Sequence, residues 1–258
     1  MNLIAALRRY SELIAYKTYA ELKAEASSYY LGVLWWVLEP ALYLFAFYSV
    51  FRWGIRQGDK EFIAFLLVAL VHWKWSASSI VTASNSILEA RSMILQVYLP
   101  KIAFPAFAIA TSTAKFALTF SIMLIVLGGM GHLSIVTFGW LIPLYGLQLL
   151  LLLGVGGLSA ILIPFIKDLK PIIDSGIILL MLVSGIFFDI EAFPPQAQDY
   201  LYLNPFAVMI TQYRHVILDG MPPEAGRIAY VAALTTLLIV ATAVTHRLLN
   251  REVPKVLI

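Results

Sequence analysis

The chain has 258 residues, of which 61% are hydrophobic and only 13% charged, whereas soluble domains carry about half and about a quarter. No polar stretch is long enough to fold as a separate water-soluble unit, so composition excludes an ordinary soluble enzyme and implies one membrane domain over 1–258. The formal charge of +3 does not indicate nucleic acid, and the lack of cysteine excludes disulfide frameworks, thiolate metal sites and thiol catalysis.

The N-terminus, Met1-Asn2-Leu3-Ile4 running into Arg8 and Arg9, lacks the long apolar region and small-residue cleavage site of a secretory signal, and no removal is expected. A helix over 1–28 follows, with Leu3, Leu7, Tyr10 and Ile14 on one face and Arg8, Arg9 and Glu12 elsewhere, continuing through Glu21, Lys23 and Glu25. Such an amphipathic interface helix lies in the headgroup plane or packs on the bundle at the membrane surface. Segments able to cross roughly 30 Å of hydrocarbon, about 20 residues each, are expected at 31–53, 62–84, 102–128, 138–165, 171–190 and 226–248. Six spans make the fold all-α and polytopic. Arg8, Arg9, Lys17, Lys23, Arg91, Lys101, Lys167, Lys170, Arg247, Arg251 and Lys255 then fall on one side, and Arg52, Arg56, Lys60, Arg214 and Arg227 on the other. The cation excess puts both termini in the cytoplasm.

Between the second and third spans, Ser86-Ile87-Leu88-Glu89 has the S-x-x-E pattern of a capping box, which predicts a short helix starting there and ending near Pro100. Ile87, Ile94 and Tyr98 share one face and Glu89, Ser92 and Gln96 another, so the piece is amphipathic and accessible to a soluble partner. From Gly185 to Gly220 the chain is broken by Pro194-Pro195 and Asn204-Pro205. Asn204 is an N-cap with proline at the first helical position, and Gly220 a stop. Two short helices over 191–220 are expected to dip into the outer leaflet and return beside a pore, because irregular backbone at that depth needs cover from protein or water. Gly154, Gly156, Gly157 and Ser159, and Ala106, Ala108, Ala110 and Ala114, fit close helix packing.

Charges inside spans are the sharper signals, since a central Lys or Asp costs about 2.5–3.5 kcal/mol on insertion scales. At 1.5 Å per residue, Glu39 lies roughly 12 Å from the cytoplasmic end of its span, Lys74 roughly 15 Å and Lys115 roughly 20 Å. Glu39 and Lys74 are near one depth, and either pair or line a hydrated pathway. Trp36, Tyr43 and Phe47 follow spacings of seven and four and form one stripe past Glu39. Aromatic faces stack on sugar rings, although such a stripe also suits packing against lipid or helices. The dipeptide Gly-Lys does not occur, so no phosphate-cradling P-loop is present. His72, His132, His215 and His246 are scattered, without metal-site spacing.

The order of these features resembles the transmembrane subunits of ABC-type polysaccharide exporters, the permeases for O-antigen, capsule and teichoic acid in the type-2 export family. The resemblance rests on Tyr30 through Pro40, similar to an L-G-x-x-W-x-x-L-x-P signature; on Asn85-Ser86-Ile87 through Leu99-Pro100-Lys101 with Phe104-Pro105; on Lys167-Asp168-Leu169; and on Leu203-Asn204-Pro205-Phe206 with Tyr213-Arg214. It implies a homodimer of six-span subunits with two nucleotide-binding ATPase subunits on the cytoplasmic face of the inner membrane. ATP and Mg belong to those partners, with no cofactor, metal or catalytic residue in this chain. Ser86, Glu89, Arg91 and Gln96 would take the ATPase coupling. Trp36, Glu39, Tyr43, Phe47, Lys74 and Lys115 would line the channel, and Asn204, Pro205, Tyr213 and Arg214 would form the external gate. The cargo implied is a lipid-linked glycan, O-antigen first and capsule second. Where the family often has proline after the serine ending the fifth span, this chain has Ser184-Gly185. The alternatives are a permease for a small drug, ion or other lipid, a membrane enzyme acting on lipid-linked sugars, and a non-transporting assembly protein.

Overall fold

A computed structural model describes residues 3–50, 60–96 and 99–257. Phe51, Arg52, Trp53, Arg56 and Tyr98 lie outside the described residues, as do the side chains of Leu3, Leu7, Arg8, Arg9 and Tyr10. The described elements are all helical: α1 (Leu3–Ser28), α2 (Leu34–Val50), α3 (Lys60–Glu89), α4 (Arg91–Gln96), α5 (Ala103–Met130), α6 (Leu141–Leu162), α7 (Leu169–Val183), α8 (Pro195–Leu201), α9 (Pro205–Arg214), α10 (Ala225–Leu249) and α11 (Val253–Leu257).

Four helical stretches among the described residues are long and apolar enough to cross a membrane: α3, α5, α6 with its 3₁₀ lead from Phe138, and α10. The other two expected spans are shorter. The described part of α2 has 17 residues, and α7 has 15, reaching about 22 Å at 1.5 Å per residue. Helix α7 stops where Gly185 takes the left-handed conformation at φ 68°, so the chain turns instead of running on to residue 190. A proline there, fixed near φ −65°, could not adopt that turn. A Cβ at Gly185 would also come within 2.7 Å of Ile190.

Helix α3 is the central post, packed against α2, α5, α6, α7 and α9. Its inward residues Leu66, Val68, Ala69 and Ala83 are fully buried. Close approach to α6 follows from the glycine run: Gly154 and Gly157 face Leu238 and Thr242 of α10, and Gly156 faces Ala83 of α3. A methyl group on Gly156 would meet the Ala83 methyl at 2.7 Å. Gly156→Ala is therefore expected to destabilise the bundle by about 1–3 kcal/mol through overpacking, read as a lowered melting temperature in detergent; an unchanged melt would show that α3 and α6 can part freely.

His72 of α3 lies at the centre of this core, with its ring stacked 4.0 Å from that of Tyr213. Nδ1 is 2.7 Å from the Val68 carbonyl, which can only accept, so Nδ1 carries the proton and Nε2 accepts from the Tyr145 hydroxyl at 3.0 Å. The histidine is thereby a satisfied core residue.

A second apolar cluster joins Ile87, Ile94, Phe104, Phe107, Ala160, Ile161 and Val253, with Leu13 and Ile14 packed against it. The N-terminal helix α1 packs against α5. The expected helix start at Ser86 is corrected: α3 continues through it to Glu89. The Ser86 hydroxyl donates backwards to the Ala83 carbonyl at 2.6 Å instead of accepting from a later amide, because Ile87 is fully buried and holds this turn in the apolar cluster. The surface helix is α4, six residues long, and α11 packs on it.

Candidate functional site

Three Lys–Glu pairs line up along the faces of α1, α2, α3 and α5. Nearest the helix surface, Lys17 pairs with Glu21 at 3.1 Å, and Glu21 also accepts from the Thr111 hydroxyl of α5 at 2.8 Å. One helical turn on, Glu25 pairs with Lys115 of α5 and accepts from the Trp36 indole at 3.1 Å. Lys115 stands 5.6 Å from the Trp36 ring centre. Deeper still, Glu39 of α2 pairs with Lys74 of α3. Glu21 and Glu25 share a face by their i, i+4 spacing, which points both carboxylates at α5.

Two cavities run along this ladder. The outer, of about 440 Å³, extends from Lys17 and Glu89 inward to Ser112 and Lys115. The inner, of about 150 Å³, holds both Lys115 and Lys74. Glu25, Ser112 and Lys115 border both, so the two adjoin as a cleft that carries the charge ladder.

The structure divides the aromatic stripe. Trp36 turns into the cleft, whereas Tyr43 stacks on Phe47 at 6.3 Å and Phe47 contacts Phe187 at 4.4 Å. Tyr43 and Trp35 remain exposed on α2. Among the residues expected to meet an ATPase, Glu89, Arg91 and Gln96 are exposed. Ser86 is buried and borders the outer cavity, so its surface is not offered to a soluble partner here.

In the 191–220 segment, Asn204 caps α9 by accepting from the Phe206 amide at 3.0 Å, with Pro205 at the first position. Its amide also donates to Ser184 at 2.8 Å, tying α9 to the end of α7. Helix α9 is buried throughout from Phe206 to Arg214, because it packs on α3, α6 and α10. Tyr213 is thus a core ring and not a surface element. Arg214, 5% exposed, donates to the carbonyls of Gly185 at 2.7 Å, Ile186 at 3.0 Å and Phe65 at 3.2 Å. A π-helical turn, His215–Asp219, follows and ends at Gly220, φ 65°. Burial pushes the Asp219 carboxyl above its ordinary value.

The sequence signals missed Glu25, Glu21 and Thr111. Lys115, stranded in an apolar span, demanded an anion, and the acidic i, i+4 pair on the preceding surface helix was the available source.

The pattern of the ABC-2 type transporter family matches residues 13–218. The chain belongs to that family. Relatives of this ABC-2 transporter chain include the O-antigen export system permease protein RfbA of Klebsiella pneumoniae, 26% identical over 210 residues and covering 81% of each chain. RfbA of Myxococcus xanthus is 24% identical over 249 residues, 94% of each. The polysialic acid transport protein KpsM of Escherichia coli is 24% identical over 219 residues, 83% of this chain and 84% of its own. The ABC-2 match begins within α1 and ends within the turn after α9, so the charge ladder and the Arg214 anchor both fall inside it.

Proposed function

We propose that this chain is the channel-forming permease subunit of an ATP-driven exporter that moves a lipid-linked polysaccharide out of the cytoplasm across the inner membrane. Its membership of the ABC-2 family over residues 13–218 carries the reading, and the O-antigen permeases among its relatives put O-antigen first and capsule second. The working unit is a homodimer with two nucleotide-binding subunits, which hold ATP and Mg. Helices α2 and α7 complete six spans per copy, both termini face the cytoplasm, and the segment 191–220 gates the far side. Tyr43, exposed on α2 and stacked on Phe47, offers a ring to passing sugars.

Deleting the chromosomal copy is expected to remove surface polysaccharide and leave lipid-linked polymer inside the cell; unchanged surface polysaccharide would end the proposal. Force from the ATPase enters at the exposed residues around α4. Charge reversal by Glu89→Lys or Arg91→Glu is expected to leave membrane insertion intact and the ATPase active while polysaccharide export falls at least about tenfold, as for lost contacts to charged groups worth about 1.5–3 kcal/mol. Full export by both variants would put the ATPase contact elsewhere.

A further inference from the structure

Two lysines border the inner cavity. Lys74 and Lys115 approach it from different helices, α3 and α5, and their side chains remain 40% and 28% exposed. An ammonium has three donors. Among the described residues, the carboxylate facing Lys74 is Glu39 and the one facing Lys115 is Glu25, so donor capacity remains on both. The hydroxyl-bearing Ser112 and Thr119 border the same space. The Trp36 N–H also points there, engaged by Glu25.

Both counter-ions come from peripheral helices, Glu25 from α1 and Glu39 from α2. A carboxylate carries one charge, whereas a phosphate or diphosphate carries more and has more acceptor oxygens, and lysine is a common phosphate ligand. We propose that the cavity is an oxyanion site that holds a phosphate between Lys74 and Lys115, with the Trp36 N–H as a third donor and with Glu25 and Glu39 as internal substitutes that the phosphate displaces. The outer cavity, with Lys17, Glu21, Glu89 and Thr111 along an otherwise largely apolar wall, supplies the way in, along which a charged headgroup passes while an attached tail stays in lipid. The inference deepens the permease reading by assigning the cargo's charged end a place within one subunit, and rests on that reading for the source of the anion.

The test uses the full chain in phosphatidylcholine nanodiscs with two probes. One is inorganic pyrophosphate, titrated by ³¹P NMR; the other is a polyprenyl phosphate doped into the bilayer, with bound lipid read by native mass spectrometry. Lys74→Met and Lys115→Met are each expected to weaken binding about tenfold, the usual loss for one charged hydrogen bond. Glu25→Gln, which removes the competitor and keeps both cations, is expected to tighten it several-fold, an outcome that a merely structural ion pair does not produce. Lys23→Met, on the exposed side of α1, is expected to change nothing. Should a methionine variant fail to insert, Lys115→Arg and Glu25→Gln carry the comparison, with the arginine expected to retain binding. Lysine-dependent binding of the lipid alone identifies a headgroup site, and of pyrophosphate alone a free-anion site; both support the oxyanion assignment. No binding of either probe, or binding unmoved by Lys115→Met and Glu25→Gln, overturns it. If export requires the chain but probe binding ignores these residues, the site falls and the permease reading stands; lysine-dependent binding with polysaccharide unchanged on deletion gives the reverse.

Discussion

Arg214→Met is expected to abolish export and to lower the stability of the bundle by roughly 4 kcal/mol. The guanidinium is buried against the Phe65 ring, 3.2 Å from its centre, and satisfies the carbonyls of Gly185 and Ile186 just past the end of α7. The negative end of that helix dipole favours a cation. Methionine fills much of the volume but leaves the Gly185 and Ile186 carbonyls without their donor, at about 1–3 kcal/mol each, and gives up the bond to the Phe65 carbonyl and the contact with the ring. Arg214→Lys should recover only part of the loss, because an ammonium lacks the planar fork that reaches both carbonyls at once. Thermal unfolding in detergent and staining of surface polysaccharide would measure the two effects; a methionine variant with native melting and export would show that the link between α7 and α9 is dispensable.

The second large effect is at Glu39 and Lys74. Glu39→Gln leaves Lys74 without its counter-ion in a span, which should cost about 2.5–3.5 kcal/mol, and Lys74→Met strands the carboxylate in the same way. The double variant removes both charges and should be clearly more stable than the sum of the single losses predicts, since leaving one charge of a pair alone within a span costs more than removing both. A double-mutant cycle on melting temperature and on expressed, inserted protein reads the coupling. Strict additivity would mean that the two side chains do not sense each other. In transport assays the double variant should stay impaired, because neutral side chains restore packing without restoring the charge ladder.

These two sites differ in how plainly the residues announced them. Glu39 and Lys74 were legible because each sits alone in an apolar run, and counting rise per residue brings them to one depth. The cap at Asn204 and the stop at Gly220 were equally open, since Asn-Pro and a terminal glycine have few other uses. Ser86 misled: an S-x-x-E pattern marks a helix start only where the preceding residues leave the helix, and here Ala83 to Ile87 are all buried and keep α3 going. The end of α7 was obscured by the apolar residues after Ser184, which read as a continuing span although Gly185 turns the chain out of the helix. Arg214 was expected in the external segment, but its three carbonyl partners come from α3 and the end of α7, and backbone acceptors leave no mark in a residue pattern.

Helix α3 has one further consequence. It is unbroken from Lys60 to Glu89, with Glu89 exposed at one end and the Phe65 carbonyl held by Arg214 near the other. Some 36 Å of continuous hydrogen-bonded backbone separates them. A tilt imposed at the near end would therefore arrive at the far end as the swing of a stiff beam, without passing through any relay of side chains.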